Sequence, residues 1–128
     1  MKKTILIADD DEELAGILCE RCKSLGLNAD VAYTALTALG KIDEMEPDIV
    51  MLDVEMPQGN GLSVCEMMAT NPHMAMIPVI MLTGRADRDT IRRCHEMCAF
   101  YISKNGDIWS RVEPLLRELA ATPGDAYR

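Results

Sequence analysis

Aromatic residues, positive charge and long apolar runs are all scarce in this sequence. Phe, Trp and Tyr make up 4% of its 128 residues. Lys and Arg total 13 against 21 Asp and Glu, which gives a formal net charge of −8. Because nucleic-acid binding needs a basic surface to meet phosphate groups, this balance argues against a nucleic-acid partner. No apolar run approaches the ~20 residues of a membrane-spanning helix, so we expect no membrane segment.

The amino terminus shows no secretion signal. The segment Met1–Thr4 leads directly into a strand-like run, without the apolar stretch and cleavage site of a signal peptide. We therefore expect a cytoplasmic protein. With 48% hydrophobic and 27% charged residues, the chain fits one globular domain. We expect this domain to span residues 1–121, and residues 122–128 to form a tail or the stub of a linker.

Four short apolar runs are each followed by polar side chains. Each run is too short to span a membrane and fits a strand buried on both faces of a parallel sheet. The runs are 5–8, 49–52, 79–82 and 100–102. The polar residues that follow them are Asp9, Asp10, Asp53, Thr83 and Lys104. Since parallel strands end at the same edge of a sheet, where open α/β sheets bind ligands, we expect these side chains to meet.

The expected cluster suits a metal ion and a phosphoryl group. Asp9, Asp10 and Asp53 supply carboxylate oxygens, which are the ligands that Mg²⁺ and Mn²⁺ prefer. Thr83 and Lys104 supply a hydroxyl and an ammonium, which suit the oxygens of a phosphoryl group. Met-Pro and two glycines follow Asp53, so its carboxylate should lie where the chain turns out of the core.

Together these motifs resemble the receiver domain of response regulators in two-component signalling. The family pattern has an acidic pair after the first strand, an Asp followed by x-x-Met-Pro and Gly after the third, Ser or Thr after the fourth, and Lys after the fifth. This sequence has all four in order: Asp9-Asp10, Asp53 with Met56-Pro57 and Gly61, Thr83, and Lys104. The resemblance covers about residues 3–121. It implies a flavodoxin-like α/β fold, a single doubly wound five-stranded parallel sheet of order 2-1-3-4-5 with five helices.

Hydrophobic periodicity places the elements of this fold. Strands are predicted at 4–8, 29–32, 49–52, 78–82 and 100–103. Helices are predicted up to about 25, over 35–45, from 61 to about 70, over about 87–97, and after 107. The fourth helix has a thin apolar stripe of Ile91, Cys94 and Cys98, so we expect it to be held weakly. Pro114 lies inside the last segment and predicts a kink or a late restart.

The resemblance implies a phosphoryl acceptor and a metal site. Asp53 would accept a phosphoryl group from the phosphohistidine of a sensor histidine kinase or of a phosphotransfer protein. Asp10, Asp53 and the main-chain carbonyl of Glu55 would bind Mg²⁺ or Mn²⁺ directly. Asp9 would bind the ion through water. Lys104 would pair with Asp53 before the reaction and with a phosphoryl oxygen afterwards.

The implied output is a conformational switch. Thr83 would donate a hydrogen bond to the phosphoryl group, and Tyr101 would turn inward. The fourth helix, fifth strand and fifth helix would then present a changed surface to an unknown downstream protein, to a fused output domain or to a second copy in a phosphorylation-dependent dimer. Family members act as switches rather than as enzymes, although they support their own phosphoryl transfer and slow autodephosphorylation.

Two residues of opposite charge border the expected acceptor. Glu55 and Arg85 lie two residues after Asp53 and Thr83, respectively. We expect their side chains to meet across the mouth of the site and to slow hydrolysis of phosphorylated Asp53 by screening it from water. Asp11, the last Asp of the first acidic run, is expected at the start of the first helix rather than in the metal site.

The sequence departs from the family pattern near the lysine. Asn105 stands where the family usually has proline, and the segment between Thr83 and Lys104 is one residue shorter than usual. An interaction module of receiver fold that works independently of phosphorylation is therefore an alternative. A flavodoxin-like nucleotide- or flavin-binding protein is another. It would need a glycine-rich phosphate loop after the first strand, where this chain has a run of acidic residues that repels phosphate.

The five cysteines do not predict a disulfide framework, because their number is odd and no secretion signal accompanies them. Cys19 and Cys22, together with Cys94 and Cys98, could instead be read as zinc ligands. Both pairs lie on predicted helices, and in the receiver fold those helices cover opposite faces of the sheet. We therefore interpret the thiols as small apolar groups in helix–sheet contacts.

Overall fold

The computed structural model describes residues 2–84, 87–97 and 99–121, in which strands and helices alternate along the chain. The strands are β1 Thr4–Ala8, β2 Asn28–Ala32, β3 Ile49–Asp53, β4 Val79–Thr83 and β5 Phe100–Ser103. The helices are α1 Glu12–Ser24, α2 Ala35–Met45, α3 Gly61–Ala69, α4 Arg88–Glu96 and α5 Ile108–Ala121. The predicted tail at 122–128 lies outside the described residues. No helix in the described part is long and apolar enough to cross a membrane.

The five strands form one parallel sheet in the order β2-β1-β3-β4-β5, which confirms the predicted fold class. The register keeps the strand ends together: Ala8 pairs with Leu52, Asp53 with Leu82, and Thr83 with Ser103. The residues that follow the strands therefore emerge side by side along the carboxyl edge of the sheet.

Side-chain caps fix where four of the helices begin. The Asp11 carboxylate accepts a hydrogen bond from the Leu14 N–H at 3.1 Å, which confirms Asp11 as a residue of the helix start. Thr34, Asn60 and Asp87 cap α2, α3 and α4 in the same way. Each cap satisfies a backbone N–H that the helix leaves unpaired, and its loss typically costs ~1 kcal/mol.

The central strands β1, β3 and β4 are buried on both faces of the sheet, which explains their continuous apolar runs. Every residue of β3 and β4 is buried. Ile49 and Met51 pack in a cluster with side chains of α1 and α5, whereas Val50 and Leu52 pack in a second cluster with side chains of α2, α3 and α4. The alternation of side chains along a strand thus divides the core into two layers.

The cysteines follow this division. Cys19 and Cys22 of α1 belong to the first layer, whereas Cys94 of α4 belongs to the second layer, across the sheet. Cys98 lies outside the described residues. A zinc site that joins the two pairs is therefore contradicted. The interpretation of the thiols as apolar packing groups is confirmed for the four cysteines that the structure describes, which include the buried Cys65 of α3.

The last helix continues through its proline. α5 runs without interruption from Ile108 to Ala121, so the alternative of a late restart was wrong. A proline inside a helix costs about 3 kcal/mol because it lacks an N–H and crowds the preceding turn. Val112 and Leu116, on either side of the exposed Pro114, are fully buried. Their burial against the sheet offsets the cost of the proline. The local sequence shows that cost but does not show the burial.

The fourth helix buries fewer side chains than the other two helices of its layer. Of the nine residues of α4, only Thr90 and Cys94 are buried. An exposed ion pair, Arg93 to Glu66 at 2.8 Å, joins α4 to α3. Exposed pairs of this kind contribute ~0–1 kcal/mol. The shallow burial of α4 agrees with the expected weak attachment, which stays a prediction.

Candidate functional site

A lysine joins two buried carboxylates at the carboxyl edge of the sheet. The Lys104 Nζ atom lies 2.7 Å from Asp9 Oδ2 and 3.1 Å from Asp53 Oδ1. The backbone holds this arrangement, because the Lys104 N–H donates to the Thr83 carbonyl at 2.9 Å. The sequence placed Lys104 beside Asp53 but assigned Asp9 only to the metal, and the contact between Asp9 and Lys104 was missed.

Three carboxylates converge beside the lysine. Asp9, Asp10 and Asp53 each place one oxygen within 4.8 Å of the others. Asp9 is fully buried, Asp10 is exposed, and Asp53 is 4% exposed. The Asp9 Oδ1 atom accepts from the Asp11 N–H at 2.9 Å. Asp9 Oδ2 is close enough to Lys104 for an ion pair, but no hydrogen bond of good geometry reaches it within the described residues. This oxygen-rich cluster has the chemistry of a site for a hard divalent cation.

The crowding of charge changes the acidity of the site. Burial, followed by the negative charge of Asp9, raises the pKa of Asp53 from 3.8 to about 7, although the Lys104 ammonium opposes this shift. Burial lowers the pKa of Lys104, but its contacts with Asp9 and Asp53 outweigh this effect and raise the pKa overall. Lys104 therefore stays protonated at neutral pH, and a bound cation would oppose the repulsion from Asp9 that helps to raise the pKa of Asp53.

Asp53→Asn is expected to stabilise the metal-free fold above neutral pH. Because the folded-state pKa of Asp53, about 7, exceeds the ordinary 3.8, the folded chain loses stability as the pH rises between these values. Asn carries no charge and avoids this loss. The variant should be more stable than the natural protein by at least ~1 kcal/mol at pH 8, and the difference should shrink toward zero near pH 4. Urea unfolding at both pH values measures it, and a difference independent of pH would contradict the electrostatic cause.

A tight turn positions the backbone below Asp53. The Gly61 N–H donates to the Val54 carbonyl at 3.0 Å, and Glu55 and Asn60 form an antiparallel bridge. Gly59, at the tip of the turn, has a φ of 110°, which side-chain-bearing residues rarely adopt. A Cβ atom on Gly61 would lie 2.3 Å from the Asp53 carbonyl oxygen. The two glycines of the motif therefore meet a conformational and a steric requirement of this turn.

Gly61→Ala is expected to destabilise the fold by about 1–3 kcal/mol, because the new methyl group meets backbone that cannot move without opening the turn. Gly16→Ala is the matched control. Gly16 lies inside α1 with nothing within 4 Å of its added Cβ, so this change should stabilise the helix by roughly 0.5–1 kcal/mol. Thermal unfolding of both variants measures the contrast. Equal melting temperatures would show that the close approach at Gly61 is not sterically limiting.

The remaining predicted residues lie around this cluster. Thr83 is buried at the end of β4, and Tyr101 is half-buried on β5, where it packs against the layer formed by α2, α3 and α4. Glu55 is exposed, and its N–H donates to Asp53 Oδ1 at 3.4 Å. Arg85 lies outside the described residues, so its pairing with Glu55 stays a prediction. The roles assigned to these side chains also stay predictions.

The parallel sheet and its acidic edge define a class of α/β protein whose chemistry lies at the ends of the strands. Residues 5–109 match the response regulator receiver domain family, and the chain belongs to this family. Its members are the receiver domains of two-component systems and act as signalling switches.

Similarity to individual proteins agrees with this family. The chain is 33% identical over 87 residues to the DNA-binding response regulator MtrA of Mycolicibacterium paratuberculosis, which covers 68% of this chain and 37% of that protein. The chain thus spans little more than a third of that relative. The signal receiver domain of a DNA-binding response regulator from Colwellia psychrerythraea 34H has a TM-score of 0.87 and 28% identity, covering 94% of this chain and 100% of its own. The BeF3-activated DrrB receiver domain has a TM-score of 0.77 and 26% identity, covering 93% and 98%.

Proposed function

We propose that Asp53 accepts a phosphoryl group from the phosphohistidine of a sensor histidine kinase or a phosphotransfer protein. The observation that carries this proposal is the placement of the Asp53 carboxylate at the edge of the sheet, 3.1 Å from Lys104 and within the acidic cluster. An Asp53 oxygen attacks phosphorus, the P–N bond of the donor breaks, and the histidine nitrogen leaves with the bonding electron pair. The product is an acyl phosphate on Asp53.

The neighbouring side chains stabilise the charge that is transferred. Lys104 moves its ammonium contact from Asp53 to a phosphoryl oxygen, and the Thr83 hydroxyl donates to another. Most of the rate enhancement in such reactions comes from positioned charges and donors rather than from proton transfer by the protein. The burial of Asp9 and Asp53 makes these interactions stronger than they would be in water.

The same cluster would hold Mg²⁺ or Mn²⁺. Asp10, Asp53 and the Glu55 main-chain carbonyl would supply direct oxygen ligands. Asp9 would supply an oxygen through water, and its Oδ2 lacks a well-directed hydrogen bond among the described residues. A bound ion would offset the repulsion between the carboxylates and the incoming phosphoryl group. A site with so few protein ligands suits Mg²⁺, which keeps several waters.

The proposed output is a change in the surface formed by α4, β5 and α5. Movement of Thr83 toward the phosphoryl group leaves space that the half-buried Tyr101 can enter. The weak attachment of α4 supports this proposal, because the helix can shift at low cost. The changed surface would bind a downstream partner: a separate protein, an output domain in the same polypeptide or a second copy of this domain.

Phosphorylation by a small donor tests the proposal. Incubation with acetyl phosphate should add one phosphoryl group to the protein, as measured by intact-mass spectrometry, and the addition should require Mg²⁺ or Mn²⁺. The adduct should be lost on treatment with hydroxylamine, which cleaves acyl phosphates. A protein that stays unmodified with metal present would overturn the proposal and favour an interaction module that works independently of phosphorylation.

A further inference from the structure

The side chain of Arg111 holds the backbone on both sides of Lys104. Arg111 lies near the start of α5, and its Nη2 atom donates to the Ser103 carbonyl at 3.0 Å and also to the Asn105 carbonyl. Ser103 and Asn105 are the two chain neighbours of Lys104. One guanidinium therefore ties the segment that carries the lysine to a helix that packs on the sheet.

Few other constraints act on this segment. The Asn105 N–H donates to Ser103 Oγ at 3.1 Å, and Gly106 has a φ of 72°. Asn105 has no ring to fix its φ angle, and no cis peptide bond occurs among the described residues. Toward the sheet, the Lys104 N–H is held by the Thr83 carbonyl. Toward α5, the guanidinium of Arg111 supplies the corresponding restraint.

The position of this backbone decides where the ammonium of Lys104 can reach. The ammonium lies at the end of a flexible four-carbon chain, yet it sits 2.7 Å from Asp9 and 3.1 Å from Asp53. A displacement of the backbone by about 1 Å would have to be absorbed by other lysine rotamers. In enzymes, misplacements of this size cost up to about a hundredfold in rate.

We propose that Arg111 is a positioning residue for phosphoryl transfer to Asp53, and that it acts by fixing the backbone around Lys104. This inference rests on the proposed function. Arg111 is exposed and does its work through the lysine rather than on the phosphoryl group. Both bonds leave the Nη2 atom, whose two N–H groups point in fixed directions within the rigid plane of the guanidinium. A lysine at this position carries its N–H groups on a freely rotating ammonium at the end of a flexible chain, so it would hold the two carbonyls less firmly.

The test compares Arg111→Ala and Arg111→Lys with Arg117→Ala. Arg117 is an exposed arginine on the same helix, paired within that helix to Glu113 at 2.9 Å, and serves as the matched control. The rate of phosphorylation by acetyl phosphate with Mg²⁺ should fall about tenfold in Arg111→Ala and by a smaller factor in Arg111→Lys. The rate of Arg117→Ala should equal that of the natural protein.

The same substitution, made in a protein that lacks the Lys104 side chain, separates positioning of that side chain from general stabilisation of the fold. In a Lys104→Ala protein, Arg111→Ala should not lower the slow residual rate further, because the side chain it positions is gone. An equal loss in both backgrounds would overturn the inference, as would natural rates for Arg111→Ala or for Arg111→Lys, while the proposed function would stand. If Arg111→Ala does not fold, Arg111→Lys decides by the same criteria. Failure of the natural protein and of Arg117→Ala to accept phosphate would overturn the proposed function and this inference together.

Discussion

Asp53→Asn is expected to reduce phosphorylation by acetyl phosphate to an undetectable level. The amide has the size of the carboxylate but lacks the charged oxygen that attacks phosphorus, so no acyl phosphate can form. The fold should survive, because Asp53 pairs with a lysine that also contacts Asp9 and because removal of its buried charge relieves repulsion. Intact-mass spectrometry after incubation with Mg²⁺ and the donor measures the result.

Asp48→Asn is the control for this experiment. The Asp48 carboxylate lies at the opposite end of the sheet, where it accepts a hydrogen bond from the Thr4 N–H at 2.8 Å. An amide oxygen can accept the same bond, and this variant should be phosphorylated like the natural protein. Undiminished phosphate on the Asp53 variant would show that another residue is the acceptor.

Asp10→Ala is expected to weaken Mg²⁺ binding by about a hundredfold, whereas Asp11→Ala should change it by less than about twofold. The two residues are adjacent, but the structure separates them. Asp10 belongs to the carboxylate cluster, whereas Asp11 faces α1 and caps its first turn through the Leu14 N–H. The Asp11 N–H, which bonds Asp9, is a backbone group and survives the substitution.

For the free energy of unfolding, Asp11→Ala should have the larger effect of the two variants. Loss of the cap in Asp11→Ala should lower the free energy of unfolding by about 0.5–2 kcal/mol, while Asp10→Ala should leave it unchanged or raise it, since a repelling charge is removed. Titration with Mg²⁺, monitored by tryptophan fluorescence, measures the metal affinity. Urea unfolding in metal-free buffer measures the free energy of unfolding. Equal losses of Mg²⁺ affinity in the two variants would mean that Asp11 shares the metal site.

The sequence predicted the parts of this protein that depend on local pattern. Strands buried on both faces leave continuous apolar runs, and the residue after each run is fixed at the sheet edge by the strand itself. For this reason the sequence alone is sufficient to place Asp53, Thr83 and Lys104 at one edge of the sheet. The Asp11 cap was equally predictable, because it depends on residues within one turn of the helix.

What the sequence could not supply depends on contacts between distant segments. The pairing of Lys104 with Asp9 depends on where a long side chain comes to rest, which strand order alone does not fix. The contacts of Arg111 join a helix to the loop before it, and no periodicity marks them. Pro114 misled in part because its local penalty is visible in the sequence, whereas the burial of Val112 and Leu116 that offsets it is a tertiary effect.

In the proposed switch, the shallow burial of α4 affects how large a stimulus the domain needs in order to respond. We expect α4, which buries two of its nine side chains, to visit displaced positions more often than β3, in which every residue is buried. A stimulus then redistributes populations that already exist, and each ~1.4 kcal/mol of preference changes their ratio about tenfold. A single new contact at the end of β4 can therefore be sufficient to shift the ensemble.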